Sequence, residues 1–365
     1  FKNPKLFFII RKINLMDKKL KVGLNGLGRI GRHLFKICID DPLIELAGIN
    51  EINPDLDNWA YTLNYDSIYG QSQNISTVKN KKIFCNKKYI NVSMKQDISE
   101  VPWEEWDVDI VIDCSGVLEN TFKSKKIIEK KWAKKVIFTN SPDQVDFTMV
   151  LGVNEEKYNP QKHHLISSSI CDATAIAPVS KLIDDLYKIK IGYVTTLHPW
   201  LSYQNLMDGP SSSWSVPGEV YHHYALGRSS IGNMIPKPTS AMEAVFKVLP
   251  KITRNIGSFS YRTPTQIIGS ADISFVVERE ANKEELIKAF ENYQYMQKYP
   301  ILKLTNEPLV SMDYIGEKFS AIVDTRWIDT INSELIKIVL WYDNEYGYSY
   351  NVVNQLKYLH SLIDS

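Results

Sequence analysis

The sequence lacks an excess of charge of either sign. Its 43 Lys and Arg stand against 42 Asp and Glu over 365 residues, a net charge of +1. Nucleic-acid binders usually carry a basic excess, so a nucleic-acid partner has no support. No apolar run approaches the roughly 18 residues of a membrane span, and no membrane partner is expected. Cysteine is scarce. Cys38, Cys85, Cys114 and Cys171 form no C-x-x-C pair and no His/Cys cluster at zinc spacing, so no metal is expected. Few, scattered cysteines suit a reducing compartment, and the expected location is cytoplasmic. Internal repeats and low-complexity segments are missing too. The first methionine is Met16, and residues 1–19 read as an N-terminal extension, a disordered tail or a start placed too early. The apolar run at 6–10 is too short for a signal peptide and no small-residue cleavage site follows it.

What is present is an ordinary globular composition, 44% apolar and 23% charged, long enough for about two domains. Residues 21–25 read as a buried strand. Gly26-Leu27-Gly28-Arg29-Ile30-Gly31 follows it, then a helix with an apolar stripe over 33–39, then a strand at 44–49 ending in Asn50-Glu51. A G-x-G-x-x-G between strand and helix, with an acidic residue further on, is a dinucleotide-binding fingerprint. Gly26 permits the tight turn, Gly28 lets a pyrophosphate approach the backbone, and Gly31 lets the helix pack on the strand. Glu51 would accept from ribose hydroxyls and repel a 2′-phosphate, which favours NAD over NADP.

Further alternation follows, with strands at 109–113 and 135–138 around a helix at 120–132, so the first half reads as a parallel, doubly wound sheet. The lysines from Lys123 to Lys135 read as a solvated helix face. Beyond residue 188 come longer strands at 188–198, 257–263, 271–278, 320–324 and 335–341, with helices near 240–249 and 282–296. The expected fold class is α/β: a Rossmann-type NAD-binding domain over 20–170, completed by a C-terminal helix at 345–365, plus an α+β catalytic domain over 171–344 with a mostly antiparallel sheet. The segment 209–232 has no clear period, and so long a loop is usually functional.

Two residues carry candidate chemistry. Apolar spacing through Ile176, Val179, Leu182, Ile183 and Leu186 puts Cys171 at a helix N-terminus, where a thiol's pKa is lowered. A cysteine there fits a nucleophile and fits a small buried hydrophobe equally. His198 ends a strand beside the long loop; it fits a general base and equally a surface histidine, and nothing in the sequence alone brings it to the thiol.

Over roughly 20–365 the chain resembles phosphorylating glyceraldehyde-3-phosphate dehydrogenases. Asn25-Gly-Leu-Gly-Arg-Ile-Gly-Arg32 is similar to the family's N-G-F-G-R-I-G-R, and Leu63-Asn-Tyr-Asp-Ser67 to its K-Y-D-S. Thr195-Thr-Leu-His198 is similar to T-T-V-H, and Trp341-Tyr-Asp-Asn-Glu-Tyr-Gly-Tyr-Ser349 to W-Y-D-N-E-F-G-Y-S. The spacing of Cys171 and His198 matches as well. Asn50-Glu51 resembles the related erythrose-4-phosphate dehydrogenase.

The resemblance implies that Cys171 attacks an aldehyde, that His198 moves the protons, and that hydride passes to NAD to leave a thioester. It extends the cofactor site from Gly26, Gly28, Gly31 and Glu51 to Asn25, Arg29, Ile30, Ser115, Gly116, Thr139 and Asn344. It assigns Arg262, Thr239 and Ser240 to the substrate, and it implies a homotetramer. Departures surround the thiol. The family's S-C-T-T-N-C is Ile170-Cys-Asp172-Ala-Thr174-Ala175 here, and a phosphate-binding threonine is Leu201. A methyl-rich side chain cannot donate and a carboxylate repels phosphate. A changed aldehyde, or release of the acyl group by water, is therefore expected beside the default substrate glyceraldehyde 3-phosphate. His222 and His223 in the long loop read as ligands or surface residues. A weakly active NAD-binding homologue with an interaction role is the reading from another class; the joint retention of Cys171, His198, Arg262 and Asn344 argues against it.

Overall fold

A computed structural model describes residues 19–211 and 223–363; the expected N-terminal extension before Lys19 and His222 lie outside them. Two large sheets carry the fold. The first has nine strands, in the order Phe147–Thr148, Leu165–Ser167, Lys135–Phe138, Ile110–Asp113, Leu20–Asn25, Ile44–Asn50, Lys88–Ser93, Lys82–Cys85 and Thr77–Lys79. Its central strands are fully buried runs such as Ile110–Asp113, as a sheet covered on both faces requires. Pairing is parallel from Phe147–Thr148 to Lys88–Ser93, and the sheet then ends in antiparallel strands. That antiparallel edge extends the expected parallel, doubly wound sheet. Short turns, Asn80-Lys81 and Asn86-Lys87, both with positive φ, join strands too close for a crossover helix.

The strand ends at the glycine loop are locked by side chains. Asn25 pairs in register with Asn50 on one side and Asp113 on the other. Its Nδ2 donates to Asp113 Oδ1 at 2.9 Å, and Asn50 Nδ2 donates to its Oδ1 at 2.8 Å. Helix Arg29–Asp40 follows the loop, and helix Tyr346–Ile363 packs Tyr348, Val352, Val353, Leu356 and Leu359 into the same core as Leu34, Phe35 and Ile39.

The second sheet is mixed and mostly antiparallel, in the order Ile235–Lys237, Ile256–Thr263, Ile189–Pro199, Gly269–Val277, Leu335–Tyr342, Ala321–Asp324 and Leu302–Thr305. Helix Cys171–Tyr187 lays Ala173, Ile176, Ala177, Val179 and Ile183 into its core, where Val194, Ile273 and Ile338 contribute the sheet side.

The solvated lysine face ends short of Lys135. The helix stops at Glu129, and Lys135 opens a central strand at 3% exposure. Its Nζ donates to the carbonyls of Pro160 and His163, which offset the cost of burying the amine. Burial lowers its pKa to about 8.

A buried ion network joins the start and end of the chain. Arg29 donates to Asp66 at 2.5 Å and to Glu345 at 2.6 Å, and His33 lies 3.4 Å from Glu345. Removing one member leaves charge buried without its partner. The variant Glu345→Gln is expected to lose about 3 kcal/mol, the low end of the buried-pair range because Arg29 keeps Asp66 and some solvent. Urea unfolding at pH 7 measures it, and an unchanged midpoint would remove the network from the account.

Candidate active site

The strand Leu165–Ser167 lies between Phe147–Thr148 and Lys135–Phe138 in the first sheet. Ser169 then takes a left-handed φ of 61°, a cost for a non-glycine residue that turns the chain sharply into helix Cys171–Tyr187. Tyr348 Oη donates to Ser169 O at 3.0 Å and lies 2.7 Å from Ser168 Oγ, bracing that turn. Cys171 is the first helical residue, packed against the cores of both sheets.

Strand Ile189–Pro199 delivers His198 to the same place. Cys171 Sγ and His198 Nε2 are 3.6 Å apart. His198 Nδ1 lies 2.8 Å from Pro199 O, an acceptor, so the neutral ring carries its proton on Nδ1 and presents a lone pair on Nε2 to the thiol. Burial, then the nearby Arg262 cation, lowers the pKa of His198 to about 4. The thiol departs from expectation. Burial and the Asp172 carboxylate hold Cys171 well above the ordinary thiol range, and the helix N-terminus does not reverse them. Sγ lies 3.7 Å from Asp172 Oδ1, which also accepts from the buried Tyr342 Oη at 2.7 Å.

His198 pairs in parallel register with Arg262 of strand Ile256–Thr263. Arg262 is 7% exposed; its Nη2 donates to Tyr203 Oη at 3.2 Å, and its Nε has no partner. Thr239 and Ser240 stand before helix Ala241–Val248, with Thr239 Oγ1 accepting from Ala241 N–H at 3.2 Å. His223, left between ligand and surface, is half-buried, with an unpartnered Nδ1. Ligand atoms of Cys171, Asp172 and His198 lie within 4.8 Å of one another, a grouping that can hold a metal ion. The Arg262 charge beside them opposes a divalent cation there.

The glycine loop fits a dinucleotide. A Cβ on Gly31 would lie 2.2 Å from Gly26 O, and one on Gly26, at φ +100°, 2.9 Å from Ser115 N. A Cβ on Gly28 would meet nothing within 4 Å, which leaves the backbone open to a pyrophosphate. The helix behind it has no side-chain cap, so its first N–H groups remain free. Glu51 accepts from Leu27 N–H at 2.7 Å and Asn53 N–H at 3.2 Å, holding the loop from beneath. Ile30 packs on the first core. Ser115 and Gly116 follow strand Ile110–Asp113, and Thr139 follows Lys135–Phe138, with its N–H donating to Asp113 O. Asn344 Oδ1 accepts from Ile268 N–H at 3.1 Å, which leaves its NH2 free to donate. Two expected contacts are differently employed: the Asn25 amide is spent inside the sheet, and the Arg29 guanidinium on Asp66 and Glu345.

Residues 20–121 match the family description "Glyceraldehyde 3-phosphate dehydrogenase, NAD binding domain", and residues 170–344 match "Glyceraldehyde 3-phosphate dehydrogenase, C-terminal domain". The chain belongs to the glyceraldehyde-3-phosphate dehydrogenase family. It is 33% identical over 340 residues to glyceraldehyde-3-phosphate dehydrogenase 1 of Bacillus subtilis, covering 93% of this chain and 98% of that one. It is 33% identical over 342 residues to the Geobacillus stearothermophilus enzyme, covering 94% and 98%, and 33% over 339 residues to one from Trichormus variabilis, covering 92% and 95%. As a member of this family the protein is an NAD-dependent oxidoreductase. Among the described residues no helix is long and apolar enough to cross a membrane.

The Asp172 carboxylate generates a direct test. The variant Asp172→Asn removes one of the causes that raise the thiol's pKa, so more thiolate exists at pH 7 and iodoacetamide should alkylate Cys171 several-fold faster. An unchanged or slower rate would show that Asp172 does not set the thiol's state.

Proposed function

We propose that the protein oxidises a phosphorylated sugar aldehyde, glyceraldehyde 3-phosphate in the first instance, with NAD as the hydride acceptor. The observation that carries this is the 3.6 Å contact between Cys171 Sγ and a His198 Nε2 whose lone pair is aimed by the Nδ1 bond to Pro199 O. Sγ attacks the aldehyde carbon as the thiol proton passes to Nε2. His198 returns that proton to the oxygen, giving a thiohemiacetal on Cys171. It then takes the hydroxyl proton as hydride leaves the carbon, and a thioester remains; inorganic phosphate attacks the thioester carbon, the carbon–sulfur bond breaks to release an acyl phosphate, and His198 returns its proton to the departing Sγ. NAD, when bound, supplies the carbon that receives the hydride, and the free NH2 of Asn344 would orient its carboxamide. A neutral histidine suits each step, because it must accept a proton before it gives one.

A second reading, in which water releases the acyl group, is favoured by one feature. Asp172 stands 3.7 Å from Sγ, and its charge with the apolar Ile170 and Leu201 disfavours an anionic acceptor at that carbon. Four free cysteines fit a reducing compartment such as the cytoplasm. Exposed Leu206, Met207 and Tyr224 suit a surface covered by a second copy, in keeping with a homotetramer.

NADH formation from glyceraldehyde 3-phosphate, with and without inorganic phosphate, tests both readings. Turnover is expected in the wild type and none in Cys171→Ser, while His198→Asn should slow it by about 10²–10⁴-fold. Phosphate dependence selects the first reading and phosphate indifference the second. Undiminished turnover in Cys171→Ser would overturn both.

A further inference from the structure

Strand Ile235–Lys237 runs antiparallel to Ile256–Thr263, with Ile235 opposite Arg262 and Lys237 opposite Ser260. On the other side, His198 stands beside Arg262 and Thr196 beside Ser260. Side chains alternate across a sheet, so His198, Arg262 and Ile235 form one row on a single face and Thr196, Ser260 and Lys237 form the next row on that face. Burial agrees with the alternation: His198, Arg262, Ile235, Thr196 and Ser260 are buried, whereas Pro236 is exposed and Leu197 and Tyr261 are half-buried. The half-buried Lys237 therefore comes up one row from the catalytic histidine and on its face.

Neither cation has an ion-pair partner, although the field of the Asp172 carboxylate reaches Lys237. Among the described residues no carboxylate lies within ion-pair distance of Arg262 or Lys237. The Nζ of Lys237 donates to the carbonyl of the adjoining Pro238, and the buried Arg262 Nε has no partner. Sequestered charges are stable only when paired, and two neighbouring cations add repulsion to the desolvation cost. A group with two negative charges relieves both at once.

We infer that Lys237 is a specificity-determining residue that joins Arg262 in holding the dianionic phosphoryl group of the aldehyde substrate. The inference rests on the proposed Cys171 and His198 chemistry and names the part of the site that selects its substrate. Lys237 stands at the first open position of Pro236-Lys-Pro-Thr-Ser240, the run that resembles the family's P-x-x-T-G. The charged and titratable groups facing Lys237 are Arg262, Asp172 and His198. Burial and then Arg262 lower its amine to about 8 while Asp172 opposes them, so its charge is held at neutral pH and lost above it.

The test compares glyceraldehyde 3-phosphate with glyceraldehyde in the NAD-loaded wild type, Lys237→Met and Lys237→Arg. Lys237→Met should raise KM for the phosphorylated aldehyde about tenfold or more, the loss of one charge-assisted contact, and change that for glyceraldehyde less than twofold. Lys237→Arg should restore most of the preference. In the wild type the preference should fall as pH rises through about 8, and in Lys237→Arg it should persist. Equal losses on both aldehydes, or no loss on either, would overturn the inference. If neither aldehyde yields NADH in the wild type, the proposed reaction fails, and the anion site is judged separately. Inorganic phosphate should then slow iodoacetamide alkylation of Cys171 in the wild type and not in Lys237→Met, and equal protection of the two would reject the role of Lys237.

Discussion

The turn at Ser169 is the constraint on which the site depends. The last strand of the parallel array must stop, reverse through a left-handed residue and start a helix within four positions, and only then does Cys171 face the end of strand Ile189–Pro199. The C-terminal helix enforces that turn, because Tyr348 Oη holds Ser169 O from behind. The same helix is anchored to the glycine loop through Arg29, Asp66 and Glu345. The glycine loop, Cys171 and the helix between them are thus fastened to one another by buried polar contacts, which tolerate less displacement than apolar packing alone.

Electrostatics around the thiol are divided. Asp172 pushes against thiolate formation and Arg262 favours it, with the aligned helix amides on the side of Arg262. Burial settles the matter for the free site, which holds a neutral thiol beside a neutral imidazole. In the proposed reaction, activation belongs to the attack itself, when the proton leaves Sγ for Nε2 as the carbon–sulfur bond forms. On the far side of His198 the balance is positive, with Arg262 and Lys237 on one sheet face. A gradient from the carboxylate at the thiol to the cations beyond it would, in the proposed reaction, orient an aldehyde with its anionic end away from Sγ.

Much of this was legible in the sequence. The glycine turn, the helix opening at Cys171 and the long strands of the second half carry local signals of period and punctuation, and each of these elements lies within a few residues of its expected place. What stayed hidden depends on tertiary placement. Lys135 looks like one more lysine of a helix until a strand boundary buries it. The thiol's raised pKa comes from burial that no helix-terminus argument contains. Tyr342 sits inside a recognisable motif, but its bond to Asp172 spans 170 positions. Lys237 had one faint signal, the alternation of Ile235-Pro236-Lys237, and that pattern acquires meaning only when Ile235 is set opposite Arg262.

The central claim is covalent chemistry at Cys171. The most direct measurement is intact-peptide mass spectrometry after a single turnover with NAD and glyceraldehyde 3-phosphate in the absence of inorganic phosphate, quenched in acid within the first second. The account predicts one acyl group on the peptide bearing Cys171, in proportion to the NADH formed, and none in Cys171→Ser. NADH formed while every quench from the first milliseconds onward leaves Cys171 unmodified would contradict it.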